Sequence, residues 1–432
     1  MQLEKRHLKP IPVLLILCSL LVLVPGSRCK AGEGLFGLGP CDSLLVTGPD
    51  GRVLFSVKPD VPRIPASVIK LLTASAAFHY LTPDYRFRTR YRLDDRQRLW
   101  VTGYGDPLYI SEVIAAHAET LARGVRDTTG SDALAGVCLD DAAIPQPVRI
   151  PGVLSGSLQP YDAPNGALCA NFNTVVFKTA ADGSLVTAEA QTPLVDWVKP
   201  WIRATGQTGG RIHLSPEQDA FRYYPGHLLA AFLAEAGISV SGPVRLATWS
   251  RDQTAVRTWE FSSPWTLHEG VRRLMQYSNN FIANQLILTL GREQPDAKQP
   301  ADTMAAGRNQ LNRYAQDILK LETARLVEGS GISRENQISC ADMDRVLIAF
   351  LPYRDLLVRK RNLSYKTGTL SGISARAGYI DVPDRGGPVR FVIFCNTRGS
   401  DAQAVMIKVA AAVCSGVIKQ TKEHLGKAAG VG

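Results

Sequence analysis

A chain of 432 residues that is 45% hydrophobic and 20% charged, with ordinary glycine and proline, describes a globular protein with an ample core and about two domains. Its formal net charge of +10 comes from scattered basic residues, apart from the cluster VRKR at 358–361. With no aromatic-interleaved basic stripe in view, no nucleic-acid partner is expected.

The N-terminus reads as a targeting segment. Lys5, Arg6 and Lys9 precede the apolar run Ile11–Val24, which ends at Pro25, Gly26 and Ser27. That run is shorter than the ~20 residues that span a bilayer. It suits the h-region of an export signal cleaved near Cys29 to Ala31, so residues 1–31 are assigned to it. An uncleaved anchor is the alternative; Arg28 before Cys29 matches a lipoprotein signal poorly. No later segment is long and apolar enough to cross a membrane, and the protein is expected to be exported, periplasmic or otherwise extracytoplasmic. Without residues 1–31 the net charge is +6, which suits an anionic environment or a plain solvated surface equally.

Export places Cys41, Cys138, Cys169, Cys340, Cys395 and Cys414 in a compartment that permits disulfides. They show no C-x-x-C spacing and no zinc pattern with histidine, so structural use, paired or buried, is expected. No metal and no cofactor is implied.

Residues 43–58 carry two alternating apolar runs around Pro49-Asp50-Gly51 and read as a hairpin. Pro65 then opens a helix in which Val68, Ile69, Leu71, Leu72, Ala74, Ala76, Ala77 and Phe78 leave almost no polar face. Such a helix belongs in a core, where the ammonium of Lys70 is costly unless paired. Ser67 lies one turn before it on the same face. From Tyr85 to Glu260 the texture changes to short strand-like pieces (86–93, 134–141, 173–180, 242–249) with one helix-like span, 228–237. This reads as a β-rich domain inserted at 86–257, with 173–223 as a reduced subdomain, because surface loops tolerate insertion. Helical patterns return at 264–277, 279–290 and 304–320. Residues 363–380 and 388–397 read as adjacent strands joined by the loop 381–387. The last helix, 401–420, has an apolar face that would suit membrane contact but is expected to pack on the sheet. Strands at both ends with helices between them predict an α+β unit, residues 32–85 and 258–432, built on one antiparallel sheet.

Taken singly, the polar motifs are weak: S-x-x-K recurs as SRCK at 27–30 inside the export signal, and KTG at 366–368 has the near miss KTA at 178–180. Together, Ser67-x-x-Lys70, Ser278-x-Asn280 and Lys366-Thr367-Gly368 stand in the order of serine acyltransferases that act on D-alanyl peptides and β-lactams. The first two open predicted helices and the third lies on a strand. Through these motifs and through TPDYRFRTR, GYGDPLY, YDAPNGALCANFNTVVF and VEGSGISREN, nearly the whole chain after residue 31 resembles the class C low-molecular-mass penicillin-binding proteins. These are D-alanyl-D-alanine carboxypeptidases and endopeptidases with a domain inserted between the first two motifs.

The resemblance implies a penicillin-binding transpeptidase-like fold: an antiparallel sheet flanked by helices, a helical subdomain and a β-rich insert. It implies peptidoglycan D-alanyl peptides as substrates and β-lactams as inhibitors. Ser67 would be the nucleophile, in a helical first turn that favours negative charge. Lys70 would be its base, kept neutral by desolvation and by the second cation, Lys366. Ser278 would pass a proton to the leaving amine, and Asn280 would hold the substrate amide and orient Lys70. Lys366 and Thr367 would bind the terminal carboxylate. Gly368 would let the peptide lie along its strand, and the N–H groups of Ser67 and Thr369 would form the oxyanion hole.

Asp140 and Asp141 either reach the cleft to read the substrate's side chain or simply end a strand; the strand end is favoured. Arg334 supports the carboxylate site or pairs with an acidic neighbour. The VRKR cluster raises local potential or is a solvated loop, and the loop is favoured. The histidines have no catalytic spacing. A β-lactamase would need a deacylating glutamate, and none is recognisable between the first two motifs. An esterase or amidase fits poorly with the carboxylate-binding Lys366–Thr367 pair. The alternative of a different class is a non-catalytic peptidoglycan-binding or scaffold protein that retains the motifs.

Overall fold

The computed structural model describes residues 35–214, 219–293, 302–383 and 385–418; the export segment lies outside them. The first hairpin is β1 (Ser43–Thr47) and β2 (Val53–Val57), turned at Gly51, whose φ of +84° needs glycine. A 3₁₀ turn, Ala66–Ile69, leads into α1 (Lys70–Leu81). As its composition predicts, α1 is surrounded: Leu71, Leu72, Ala74, Ala76 and Ala77 are fully buried.

The chain then leaves along β3 (Arg86–Asp94) and returns along β12 (Ala255–Thr266). These two strands pair antiparallel from Arg86↔Thr266 to Asp94↔Ala255, so the return limb runs past residue 257. Between them lie β4 (Arg98–Gly103), α2 (Ser111–Thr129), β5 (Ala133–Leu134) and β6 (Gly136–Asp140). Next come β7 (Thr174–Thr179), β8 (Leu185–Thr187), α3 (Lys199–Ala204) and β9 (Gly209–His213). The excursion is completed by α4 (Ala220–Glu235), β10 (Ser239–Val240) and β11 (Val244–Leu246). A five-stranded sheet runs β11-β6-β4-β3-β12, with β7, β8 and β9 as a separate three-stranded sheet. The β11–β6 and β6–β4 pairs are parallel, which requires crossovers, and helices supply them. α2 was not anticipated, although its signals are present. Val113, Ile114, Ala118, Leu121, Ala122 and Val125 are buried at helical spacing, and Gly130 closes the helix in the left-handed region. α2 and α4 pack together over one sheet face, with Leu121, Leu228 and Leu229 in the same core as Tyr91, Val137 and Leu139.

α5 (Leu267–Tyr277) and α6 (Asn280–Arg292) follow, then α7 (Thr303–Arg313), which closes in a π turn at Tyr314–Ile318, and α8 (Cys340–Phe350). α5 starts with a capping box, Thr266 and Glu269 each accepting from the other's backbone N–H. The last strands are β13 (Val358–Lys360), β14 (Leu363–Leu370), β15 (Ile373–Ile380) and β16 (Val389–Cys395), before α9 (Ala402–Cys414). The stretch 363–380, expected as one strand, is a hairpin: Ser371-Gly372 turns it, with Gly372 at φ +73°.

The main sheet, β13-β14-β15-β16-β1-β2, is antiparallel throughout and joins both ends of the chain, with Ser43 opposite Phe394. α9 covers one face through Val405, Met406, Val409 and Val413, so its apolar side is spent on the sheet. α1, α5, α6 and α8 share the core on the other face with Ala375, Ala377, Val392 and Phe394. The result is the expected α+β arrangement. Cys138, Cys169, Cys340 and Cys395 are buried, Cys41 and Cys414 are exposed, and none is paired among the described residues.

Candidate active site

Ser67 lies in the 3₁₀ turn and Lys70 is the first residue of α1. The α-helical first turn expected after Pro65 is replaced by this tighter one, entered through Ala66 at φ +48°. In a 3₁₀ turn side chains three apart eclipse, which sets Lys70 Nζ 2.9 Å from Ser67 Oγ. Two glycines clamp the turn. A side chain at Gly331 would meet the Ala66 carbonyl oxygen at 2.0 Å, and one at Gly368 would meet the Pro65 oxygen at 2.7 Å and the Ser67 nitrogen at 3.1 Å. Gly368 thus makes room for the backbone of Ser67, whereas the sequence suggested only that it makes room for substrate.

Lys70 is fully buried. Beyond Ser67, its Nζ is 2.8 Å from Asn280 Oδ1 and 2.5 Å from the Ser330 carbonyl oxygen. A neutral amine has two N–H groups and one lone pair, and this environment offers two carbonyl acceptors and one hydroxyl. As an ammonium Lys70 donates to all three oxygens; loss of one proton, with both carbonyls keeping their donors, would turn a lone pair toward Ser67. Burial, followed by the charge of Lys366, holds Lys70 well below the ordinary lysine range, against a smaller upward pull from Glu328.

Glu328 is the group that sequence reasoning missed. It has no exposed surface and anchors the loop that carries Ser330 and Gly331. Its Oε2 accepts from Ser330 N and Oγ, both at 2.6 Å; its Oε1 accepts from Gly331 N at 2.7 Å, Ser333 N at 3.3 Å and Asn336 Nδ2 at 2.6 Å. With both oxygens engaged by its own loop, it is satisfied as a buried carboxylate and has no free lone pair aimed at a water. The VEGSG stretch, two glycines spaced around a serine beside an acid in an apolar context, was the available signal.

Ser278 and Asn280 occupy the corner between α5 and α6. Ser278 caps α5 in the left-handed region (φ +52°), Asn279 accepts from Ile282 N to start α6, and Asn280 is its first residue. A serine in that conformation costs about 1 kcal/mol where glycine is usual; here it faces Lys366 Nζ, 2.7 Å from Ser278 Oγ. Lys366 also donates to the Thr367 carbonyl at 2.8 Å and is buried. Burial and the nearby Arg376 push it down to about 7. The structure therefore brings Ser67, Lys70 and Asn280 together, with Ser278 and Lys366 as an adjoining pair.

β14 supplies the opposite wall. β13 pairs with it only from Leu363 to Tyr365, so from Lys366 onward its outer edge is open among the described residues, with Thr367 and Thr369 exposed. An open strand edge of this kind accepts an extended peptide through main-chain hydrogen bonds. The segment between β6 and β7 also reaches the site. The Tyr161 carbonyl accepts from Asn280 Nδ2 at 3.2 Å, and Asn165 Nδ2 donates to the Phe281 carbonyl at 3.0 Å and to Gln285 Oε1 at 2.9 Å.

The remaining candidates have other partners. Asp141 pairs with Arg222 at 2.7 Å, and Asp140 accepts from Thr102 Oγ1 at 3.2 Å, both within the insert. Arg334 donates to the Ser371 carbonyl at the hairpin turn and not to an acid. The first three residues of the VRKR cluster form the exposed β13, with Arg359 3.5 Å from Asp381. His117 is buried against the hydroxyl of Tyr91, and burial lowers it to about 4.

Comparison with known proteins gives consistent matches. The model of the D-Ala-D-Ala carboxypeptidase 3 (S13) family matches residues 46–199 and 207–355. A D-alanyl-D-alanine carboxypeptidase of Actinomadura sp. (strain R39) is 26% identical over 431 residues, covering 83% of this chain and 78% of the relative. Among solved structures, penicillin-binding protein 4 of Haemophilus influenzae is similar with a TM-score of 0.66 at 18% identity, covering 89% of this chain and 98% of that one. The predatory endopeptidase Bd0816 of Bdellovibrio bacteriovorus is similar at 0.53 and 15% identity, covering 87% and 93%.

Proposed function

The chain belongs to the D-Ala-D-Ala carboxypeptidase 3 (S13) family and is a serine-type DD-peptidase; from that premise we propose how its residues perform the reaction. Ser67 Oγ attacks the carbonyl of the penultimate D-alanine while its proton passes to the lone pair of Lys70. The N–H groups of Ser67 and Thr369 receive the oxyanion, each such donor contributing on the order of 10²–10³ in rate. Ser278 relays a proton to the leaving amine, D-alanine departs, and water then hydrolyses the acyl-enzyme with Lys70 again as base. Asn280 holds the substrate amide, and Lys366 and Thr367 hold the terminal carboxylate, with the peptide added to the open edge of β14. An acyl-enzyme of the same kind serves cleavage of D-alanyl cross-bridges as an endopeptidase, and β-lactams acylate Ser67 in place of the peptide, their ring nitrogen leaving the carbonyl but staying tethered.

The supporting observation is the geometry of Lys70: its Nζ donates to Ser67 Oγ, Asn280 Oδ1 and the Ser330 carbonyl, so the neutral amine that burial favours can keep both carbonyl acceptors and turn its lone pair to Ser67. We place this activity outside the cytoplasm, after removal of residues 1–31, in a catalytic unit of residues 32–85 and 258–432 interrupted by the insert at 86–257. Among the described residues no helix is long and apolar enough to cross a membrane.

The test is intact mass after brief exposure to benzylpenicillin. One adduct in the wild type and none in Ser67→Ala supports the reading. An unmodified wild type with intact drug favours a non-catalytic wall-binding protein.

A further inference from the structure

The five-stranded sheet of the insert has one face under α2 and α4; its other face collects positive charge. Along β3 the residues alternate: Phe87, Tyr91 and Leu93 point into the cores, while Arg86, Arg88, Arg90 and Arg92 project from the opposite side. At about 3.4 Å per residue, the four guanidinium stems cover roughly 20 Å. Strand alternation gathers the four arginines on one face, while Phe87 and Tyr91 of the same strand face the cores.

Aromatic rings hold these arginines in place. Arg88 lies 4.9 Å from the centre of the Tyr104 ring and Arg92 4.9 Å from that of Trp249; Arg292, from the far end of α6, reaches Tyr104 at 5.4 Å. Trp249 itself packs edge-on against Trp100 of β4 at 5.2 Å. Acids on and beside this face offset part of that charge. Glu260, opposite Arg90 on β12, accepts from Arg90 and stands 3.8 Å from Arg88. Asp94 is taken by Arg98 and Trp100, Asp140 accepts from Thr102, and Glu293 pairs with Arg292. Arg92 is burdened by its own burial and by the like charge of Arg90, which lower it from the usual range. Pre-oriented guanidinium groups in excess of their acids, spread over more length than one small anion can cover, match a chain of repeated carboxylates.

We propose that this arginine–aromatic face of the insert docks the peptidoglycan itself through the carboxylates of its stem peptides, holding the wall while a neighbouring stem enters the cleft. The proposal rests on the DD-peptidase reading for the identity of the polymer. α6 gives the connection: it starts at Asn280 in the active site and ends at Arg292 on this face, about 18 Å apart at 1.5 Å per residue.

The experiment uses the full chain acylated with benzylpenicillin and measures co-sedimentation with purified sacculi freed of attached phosphate polymers. A triple variant, Arg88→Gln with Arg90→Gln and Arg92→Gln, is compared with the corresponding triple Lys variant. Expected are retention that weakens with salt, a loss of roughly tenfold in the Gln variant, retention largely kept in the Lys variant, and unchanged acylation by benzylpenicillin. Equal retention of wild type and Gln variant, or salt-insensitive retention, overturns the proposal. So does binding to polyphosphate or to anionic vesicles without binding to these sacculi. If the Gln variant loses acylation as well, its fold is compromised, and the salt titration of the wild type with the Lys variant decides. Absence of a penicillin adduct on the wild type would strike the DD-peptidase reading instead, while sedimentation of the unacylated chain still reports on the face.

Discussion

Two sets of cations in this molecule behave in opposite ways. In the crevice, Lys70 and Lys366 are buried with no carboxylate against either amine, and both are driven toward the neutral form. On the insert, Arg88 and Arg90 stay partly in water, lie against aromatic faces and share Glu260. The contrast shows that position decides what a positive side chain is for. Burial converts an ammonium into a base, whereas a guanidinium, which does not deprotonate in proteins, remains a fixed charge wherever it sits. Lysine in the crevice and arginine on the open sheet follow from that difference.

The sharpest way to break the contrast is to move the surface type of cation into the crevice. Lys70→Arg should lower the second-order rate of acylation by benzylpenicillin by about 10³ or more, since general-base catalysis contributes ~10²–10⁴ and a guanidinium supplies no lone pair. A rate within tenfold of wild type would show that the proton goes elsewhere. Glu328→Gln tests the one carboxylate that opposes neutralisation of Lys70. Removing its charge should carry the acid limb of the acylation rate to lower pH, because Lys70 then loses its proton more easily. The amide N–H groups would also confront the N–H donors of Ser330 and Gly331, costing about 1–3 kcal/mol of stability. A pH titration of the rate together with thermal unfolding separates the two effects, and an unshifted acid limb would reduce Glu328 to a loop anchor. The smallest effect is expected at Lys366. It must be protonated to hold a carboxylate, so kcat/KM on a D-alanyl peptide should fall as pH rises through about 7, subject to its coupling with Lys70. Arg376→Gln removes a like charge and should move that alkaline limb upward.

Much of this was legible in the chain. The apolar surroundings of Lys70, the three polar motifs and the strands at both ends each follow from local pattern, and the S13 match agrees with the family that they imply. What escaped depends on contacts between segments far apart in sequence. Glu328 acts through the Ser330 carbonyl, 260 positions from Lys70. Gly331 matters because of the Ala66 backbone, and Tyr161 lends only a carbonyl, which every residue has. The turn at Ser371-Gly372 was hidden because Gly368 and Gly378 stand in the same run without turning it. The arginine face needed more than the strand expected at 86–93: Tyr104, Trp249 and Glu260 come to it from other segments.

The pairing of β1 with β16 has a kinetic consequence. Ser43 meets Phe394, and the turn bearing Ser67 is clamped by Gly331 and Gly368, so the reactive centre depends on contacts among the most distant in the sequence. Closing loops of that size is slow relative to local contacts. The insert, whose own core is built from residues 91–238, is free to fold ahead of it. Ser67 is therefore among the first residues of the site to emerge from the ribosome and meets its partners only when the final strands have been placed, so an incomplete chain carries Ser67 without Lys366 or Gly368 beside it.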